Sequence, residues 1–85
     1  MTPELAAKLL TLLTLAEVWR KMRAYDDLAL AHSGMKDLLD FPPDGVELEI
    51  SRLLNQAKIR LQKNDVAEVA RCHAEMRALL EGVAG

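Results

Sequence analysis

Three side chains in this 85-residue chain could do chemistry through ring nitrogens or sulfur: His32, Cys72 and His73. A structural zinc site needs four nitrogen or sulfur ligands, and adjacent residues such as Cys72 and His73 point about 100° apart on a helix, so they cannot readily chelate one ion. A nucleophilic cysteine also needs a base and an orienting third group, and no such spacing exists here. We therefore predict no metal site, no cofactor and no catalytic residue.

The two histidines open two similar segments, HSGMKDLL at 32–39 and HAEMRALL at 73–80, which lie 41 residues apart and share His, Met and Leu-Leu at the same positions. At the same offset, apolar residues elsewhere in the two halves match at spacings of three and four. The economical interpretation is two copies of one helical hairpin. Because His32 and His73 occupy equivalent positions, we expect them to lie near each other at an interface or at the edge of the core. Histidine titrates near neutral pH, so such a pair could make association pH-dependent.

Composition places the chain among small all-α proteins. It makes one domain, 1–85, and Leu and Ala, both strong helix formers, supply most of the 51% of residues that are hydrophobic. One cysteine cannot form an internal disulfide and favours a reducing compartment. No secretory signal is visible, and the apolar stretch 5–19 is too short to span a bilayer. We expect a cytoplasmic protein whose net charge of −2 excludes a generally basic nucleic-acid coat.

The pattern predicts two antiparallel helical hairpins, with helices at roughly 3–23, 26–39, 45–63 and 66–81. Asn64 suits a left-handed helix end, Gly82 should stop the last helix, and Gly34 could admit a close helix neighbour. The predicted N-terminal caps are Thr2, Asp26 and two capping boxes, Asp44 with Glu47 and Asp65 with Glu68.

The turn between the first two helices is weakly signalled, because the stretch RAYDDLA contains no Gly, Pro or Asn. The alternative is one rod of about 37 residues, about 55 Å long. Such a rod would outrun its own hairpin and would need a dimer. The repeat favours four helices, whereas the absence of a helix-breaking residue between the first two favours one long helix.

The hairpins resemble those of tetratricopeptide repeat proteins. Ala16 and Ala57 stand where that family places a small residue in its first helix, and Trp19 stands where it places an aromatic residue three positions later. The period of 41 residues is longer than the family's, and Leu28 and Val69 replace a small residue of its second helix. The resemblance implies an α-hairpin scaffold that binds protein and carries over no specific binding residue.

The first helix is more apolar than one core contact requires. Eleven of the fifteen residues from Leu5 to Trp19 are apolar, which leaves an arc wider than the stripe of about 100° that faces a core. The helix is either central and packed on two sides, or it meets the core on one side and another chain on the other. The residues that we predict to form this interface or core are Leu9, Leu12, Leu13, Ala16, Trp19, Met35 and Met76.

Charge is sorted by position, with basic residues where the first and third helices end. In a hairpin repeat these ends lie side by side and form a basic edge, which consists of Arg20, Lys21, Arg23, Lys58, Arg60 and Lys63.

Together these features predict a non-catalytic protein–protein interaction module, a small adaptor or chaperone-like scaffold. Its partner is expected to be another protein, itself as a homodimer, or both. We expect no membrane span and no small-molecule substrate. The alternatives are a self-associating structural protein and a small regulator that contacts nucleic acid through the basic edge.

Overall fold

The chain folds into four α-helices joined by short connections, and the computed structural model describes all residues from 1 to 85. The helices are α1 (Pro3–Lys21), α2 (Tyr25–Leu38), α3 (Val46–Gln62) and α4 (Val66–Ala84). The predicted all-α class and the four-helix order are confirmed, and no boundary is off by more than three residues. None of the helices is both long and apolar enough to cross a bilayer.

A sharp turn separates α1 from α2, so the single long rod is not formed. Arg23 adopts a left-handed conformation with φ of 59°, and the Ala24 N–H donates to the Trp19 carbonyl at 2.9 Å. This is the Schellman arrangement that ends many helices, usually with glycine at the left-handed position. The turn could not be recognised in the sequence, because an arginine side chain does not indicate a left-handed backbone.

The same turn recurs 41 residues later, between α3 and α4. Asn64 is left-handed with φ of 58°, as the sequence predicted, and the Asp65 N–H donates to the Arg60 carbonyl at 2.9 Å. The two halves therefore share the backbone hydrogen bond that ends their first helix. Two unrelated amphipathic helices would not be expected to share it.

Two of the predicted helix starts are confirmed. The Leu5 N–H donates to the Thr2 hydroxyl at 3.2 Å with Pro3 in the first turn. The Asp65 carboxylate accepts from the Glu68 N–H at 3.3 Å, although the reciprocal bond of a full capping box is absent.

Three other predictions about helix ends are wrong. Asp26 does not cap α2, whose N-cap is Ala24 with no side-chain bond. The Asp44 box does not form, because Glu47 turns back and accepts from the Asp40 N–H at 3.3 Å. Gly82 does not end α4, which continues to Ala84; an interior glycine only weakens a helix.

The helices are arranged in a ring. Each hairpin packs on itself, α1 on α2 and α3 on α4, and α1 also packs closely against α4, which joins the two hairpins. The remaining neighbours, α2 and α3, approach each other far less. A core of fifteen buried hydrophobic residues fills the centre, with contributions from all four helices. The molecule is therefore a small bundle closed on one side and open on the other.

Candidate functional site

The two repeat-equivalent histidines meet inside the bundle. Nε2 of His32 on α2 lies 2.7 Å from Nε2 of His73 on α4, and the rings are 5.0 Å apart between centroids in an edge-to-face arrangement. Their relative exposures are 6% and 0%. Both side chains are therefore buried, and they lie near each other as the sequence predicted. On the far side of His73, the Arg20 guanidinium on α1 lies 2.7 Å from Nδ1.

Arg20 determines where the protons of this pair lie. A guanidinium only donates, so Nδ1 of His73 must accept and its ring proton sits on Nε2. That proton is donated to Nε2 of His32, which must then carry its own proton on Nδ1. Nδ1 of His32 is the one buried side-chain nitrogen or oxygen in the chain with no hydrogen-bond partner. The hydrogen-bonded chain thus runs from Arg20 through His73 to His32 and ends in an unsatisfied donor.

Both histidines are neutral at pH 7. Burial lowers the pKa of His32 from 6.5 to about 4. Burial, then His32 and then Arg20 lower the pKa of His73 from 6.5 to about 3. A titration near neutral pH that switches association, as the sequence suggested, is therefore moved well into the acid range.

Cys72 is buried one residue before His73. Burial is the main cause that raises the pKa of its thiol, whereas reactive cysteines have a lowered pKa. Its Sγ makes only a long contact, 3.9 Å, with Oε1 of Gln56. Cys72 therefore packs as a small apolar side chain. No group of three or more His, Cys, Asp or Glu side chains is placed to hold a metal ion.

The α1–α4 side of the bundle is closed by a polar clamp. Arg77 on α4 binds both carboxylate oxygens of Glu17 on α1 and also donates to the Thr14 hydroxyl at 2.9 Å. A fork-shaped guanidinium on a carboxylate is among the stronger ion-pair geometries. Helix α4 adds Glu81, 3.2 Å from the same guanidinium.

The α2–α3 side is an open groove of about 490 Å³. Its walls carry three cationic side chains, three hydroxyl or amide side chains, His32 and an apolar floor. The lining residues are Ala29, His32, Ser33, Lys36, Ser51, Arg52, Leu54, Asn55, Lys58 and Leu61. Three of the chain's eleven Lys and Arg residues are in this set, and none of its thirteen Asp and Glu residues is. We call this surface the α2–α3 groove.

A second hollow of about 480 Å³ continues the groove towards the α2–α3 loop. The two share Lys36 and Ser51. Asp37, Asp40 and Phe41 also line the second hollow, and the Phe41 side chain is 95% exposed. On α3 alone, the lining from Ser51 to Leu61 covers about 15 Å of helix at 1.5 Å per residue. The surface is therefore elongated and ends beside an exposed aromatic ring.

The residues predicted from the sequence as interface or core all belong to the core or its margin. Five are fully buried: Leu9, Leu13, Ala16, Met35 and Met76. Leu12 and Trp19 are half-buried and pack against that core. None of the seven lines the α2–α3 groove.

Sequence reasoning singled out His32 and placed Lys58 in the basic edge, but it missed the other groove residues, although a signal was present. Ser51, Asn55 and Lys58 on α3 follow one another at helical spacing, as do Ala29, Ser33 and Lys36 on α2. Both rows lack an acidic residue.

The excess apolar surface that the sequence predicted for the first helix does exist on α1. Leu15, Val18 and Met22 are 44%, 43% and 65% exposed and lie at spacings of three and four, so they form one stripe. The predicted basic edge is smaller than expected, because Arg20 turns inward to His73.

Comparison of the chain with protein-family models, characterised proteins and solved structures finds no match. The resemblance to tetratricopeptide repeats therefore stays a prediction, and the site is interpreted from its own geometry.

Proposed function

We propose that the protein is a non-catalytic interaction module, a small adaptor or chaperone-like scaffold, that holds a segment of a partner protein in the α2–α3 groove. The observation that carries this proposal is the separation of α2 from α3, which leaves Lys36 and Lys58 without a salt-bridge partner along an elongated polar surface.

The shape of the surface favours a peptide segment over a compact ligand. A small-molecule pocket encloses most of its ligand, whereas this groove is open to solvent along its length and continues into a second hollow. A helix laid between two helices uses anchors at spacings of three and four. The lining residues of α2 and α3 have that spacing. Exposed Phe41 offers an aromatic anchor at one end.

The environment that we propose is a reducing compartment such as the cytoplasm. The single cysteine is buried and is a free thiol. Proteins of reducing compartments rarely contain disulfides.

Site-specific photo-crosslinking in the native cell tests the proposal. A photoreactive amino acid replaces Asn55 in the groove, and matched variants carry it at Ala67, which is exposed on α4, and at Val18 in the α1 stripe. We expect one discrete adduct with another protein from position 55 and none from position 67. Adducts from position 18 alone, or equal adducts from all three positions, would contradict the groove as the binding site.

Self-association is a second candidate function, and the α1 stripe favours it. Leu15, Val18 and Met22 form an apolar surface on a helix that already packs against two neighbours. If two copies meet there as a homodimer, light scattering across a hundredfold range of concentration gives twice the monomer mass, and Val18→Glu restores the monomer. Glu replacement at Asn55 is the matched control, which leaves the mass unchanged.

A further inference from the structure

The two sides of the bundle are equivalent in the repeat, and their differences indicate what the groove binds. An offset of 41 residues relates α1 to α3 and α2 to α4. The closed α1–α4 interface is therefore the counterpart of the open α2–α3 groove. Three residues of the α1–α4 clamp, Arg77, Glu17 and Thr14, have counterparts in the groove lining, whereas Glu81 corresponds to Asp40, which lines the second hollow.

The ion pair of the closed side becomes a pair of like charges on the open side. Arg77 corresponds to Lys36, and its partner Glu17 corresponds to Lys58. Both lysines line the groove, and neither makes a salt bridge within the chain, in contrast to Arg77 and Glu17. Like charges on facing helices repel, which favours the separation of α2 from α3 over the close packing of α1 on α4.

The hydroxyl position of the clamp is also retained in the groove as a hydrogen-bonding group. Thr14, which accepts from Arg77, corresponds to Asn55. Arg52, which has no counterpart in the clamp, adds a third cation to the groove lining. Its guanidinium also forms a salt bridge with Glu49 at 3.1 Å. The component of the clamp that the groove lining lacks is thus the carboxylate of Glu17.

We infer that the segment bound in the α2–α3 groove is acidic and places a carboxylate between Lys36 and Lys58, as Glu17 does against Arg77 on the closed side. This inference rests on the proposed function and adds the chemistry of the partner. The bound segment supplies, from outside, the carboxylate of the ion pair that the α2–α3 side lacks. Ser33, Ser51 and Asn55 donate further hydrogen bonds to its polar atoms.

The test uses three 14-residue amphipathic peptides with leucine at the apolar positions and glutamate, glutamine or lysine at all others. Binding to the full chain is followed by amide NMR shifts and by calorimetry at low and moderate salt. We expect the glutamate peptide to shift groove amides such as those of Ser33 and Asn55. Its affinity should exceed that of the glutamine peptide about tenfold and should fall with salt, because exposed charges are screened within about 10 Å at 0.1 M.

Two variants with the same change of charge separate the groove from general electrostatics. Lys58→Glu recreates the ion pair of the closed side, so it should raise the midpoint of thermal unfolding and abolish binding of the glutamate peptide. Lys63→Glu changes an exposed lysine outside the groove and should leave binding within about twofold, since distant surface charges are largely screened.

The outcomes distinguish this inference from the proposed function. Equal binding of the glutamine and glutamate peptides at the groove overturns the inference and leaves the function standing. The inference is also overturned if Lys58→Glu and Lys63→Glu weaken binding of the glutamate peptide equally, or if no peptide shifts the NMR signals of the groove amides. The crosslinks from position 55 then decide the proposed function by themselves.

Discussion

Acid should destabilise the fold because of the buried histidine pair. In the unfolded chain each histidine takes up a proton near pH 6.5, whereas in the fold burial lowers the pKa of His32 to about 4 and that of His73 to about 3. Between these values the unfolded state binds more protons, so the free energy of unfolding is highest above pH 6.5 and falls as the pH falls. At pH 5, each histidine lowers the free energy of unfolding by about 2 kcal/mol, and the pair by about 4 kcal/mol, at 1.36 kcal/mol per pKa unit.

This loss is large for a chain of 85 residues, for which a total of about 4–13 kcal/mol is typical. Urea unfolding followed by circular dichroism at pH 7, 6 and 5 measures it. The control is the double variant His32→Gln and His73→Gln, in which nothing titrates at these positions. The variant should lose the pH slope over this window, where carboxylates are still largely ionised. A wild-type stability that stays level from pH 7 to pH 5, or an equal slope in the variant, would refute the reasoning.

Two further predictions concern the backbone and use the same unfolding assay. Gly34→Ala should stabilise the chain by about 0.5–1 kcal/mol, because the added Cβ would meet only Leu12 at an ordinary 3.5 Å; a loss would mean that the α1–α2 packing is tighter than this distance indicates. Arg23→Asn should add about 0.5 kcal/mol, since Asn tolerates the left-handed backbone better. At the equivalent position, Asn64→Ala should lower the free energy of unfolding by a similar amount. If both substitutions changed the free energy of unfolding in the same direction, the left-handed assignment would be contradicted.

The fold could be predicted from the sequence wherever side chains report the backbone directly. Thr2 and Pro3 at the start of α1, and Asn64 after α3, carry the preferences that their positions require. The turn at Arg23 and the continuation through Gly82 could not be predicted from side-chain preference, because arginine does not indicate a left-handed backbone and an interior glycine only weakens a helix. The repeat itself contained the missing information, since position 23 corresponds to Asn64.

The candidate site could be predicted less well, because periodicity reports which side of a helix is apolar and not which helices meet. The repeat correctly predicted that His32 and His73 lie near each other. It did not predict that both side chains are buried. The sequence assigned the apolar residues of α1 to an interface or core without separating buried Leu13 from exposed Leu15. Two rows of polar residues faced each other across α2 and α3, and only the three-dimensional arrangement shows that they share one groove.

The histidine pair explains why the repeat must be asymmetric, and this leads to a last prediction. Arg20 corresponds to Leu61, which lines the groove as His32 does. Arginines on both sides would make both Nδ1 atoms accept and would force two Nε2–H donors to face each other at 2.7 Å.

Leu61→Arg should therefore lower the free energy of unfolding by about 1–3 kcal/mol, the cost of an unsatisfied buried donor, whereas Leu61→Met should change it little. Arg20→Leu should also be destabilising by about as much. The double variant Arg20→Leu with Leu61→Arg moves the donor to the other repeat and reverses the direction of the hydrogen-bonded chain. It should be more stable than the sum of its single changes predicts, by about 1–3 kcal/mol of coupling. Strict additivity would mean that Arg20 does not set the protons of the pair, and the asymmetry would then need another cause.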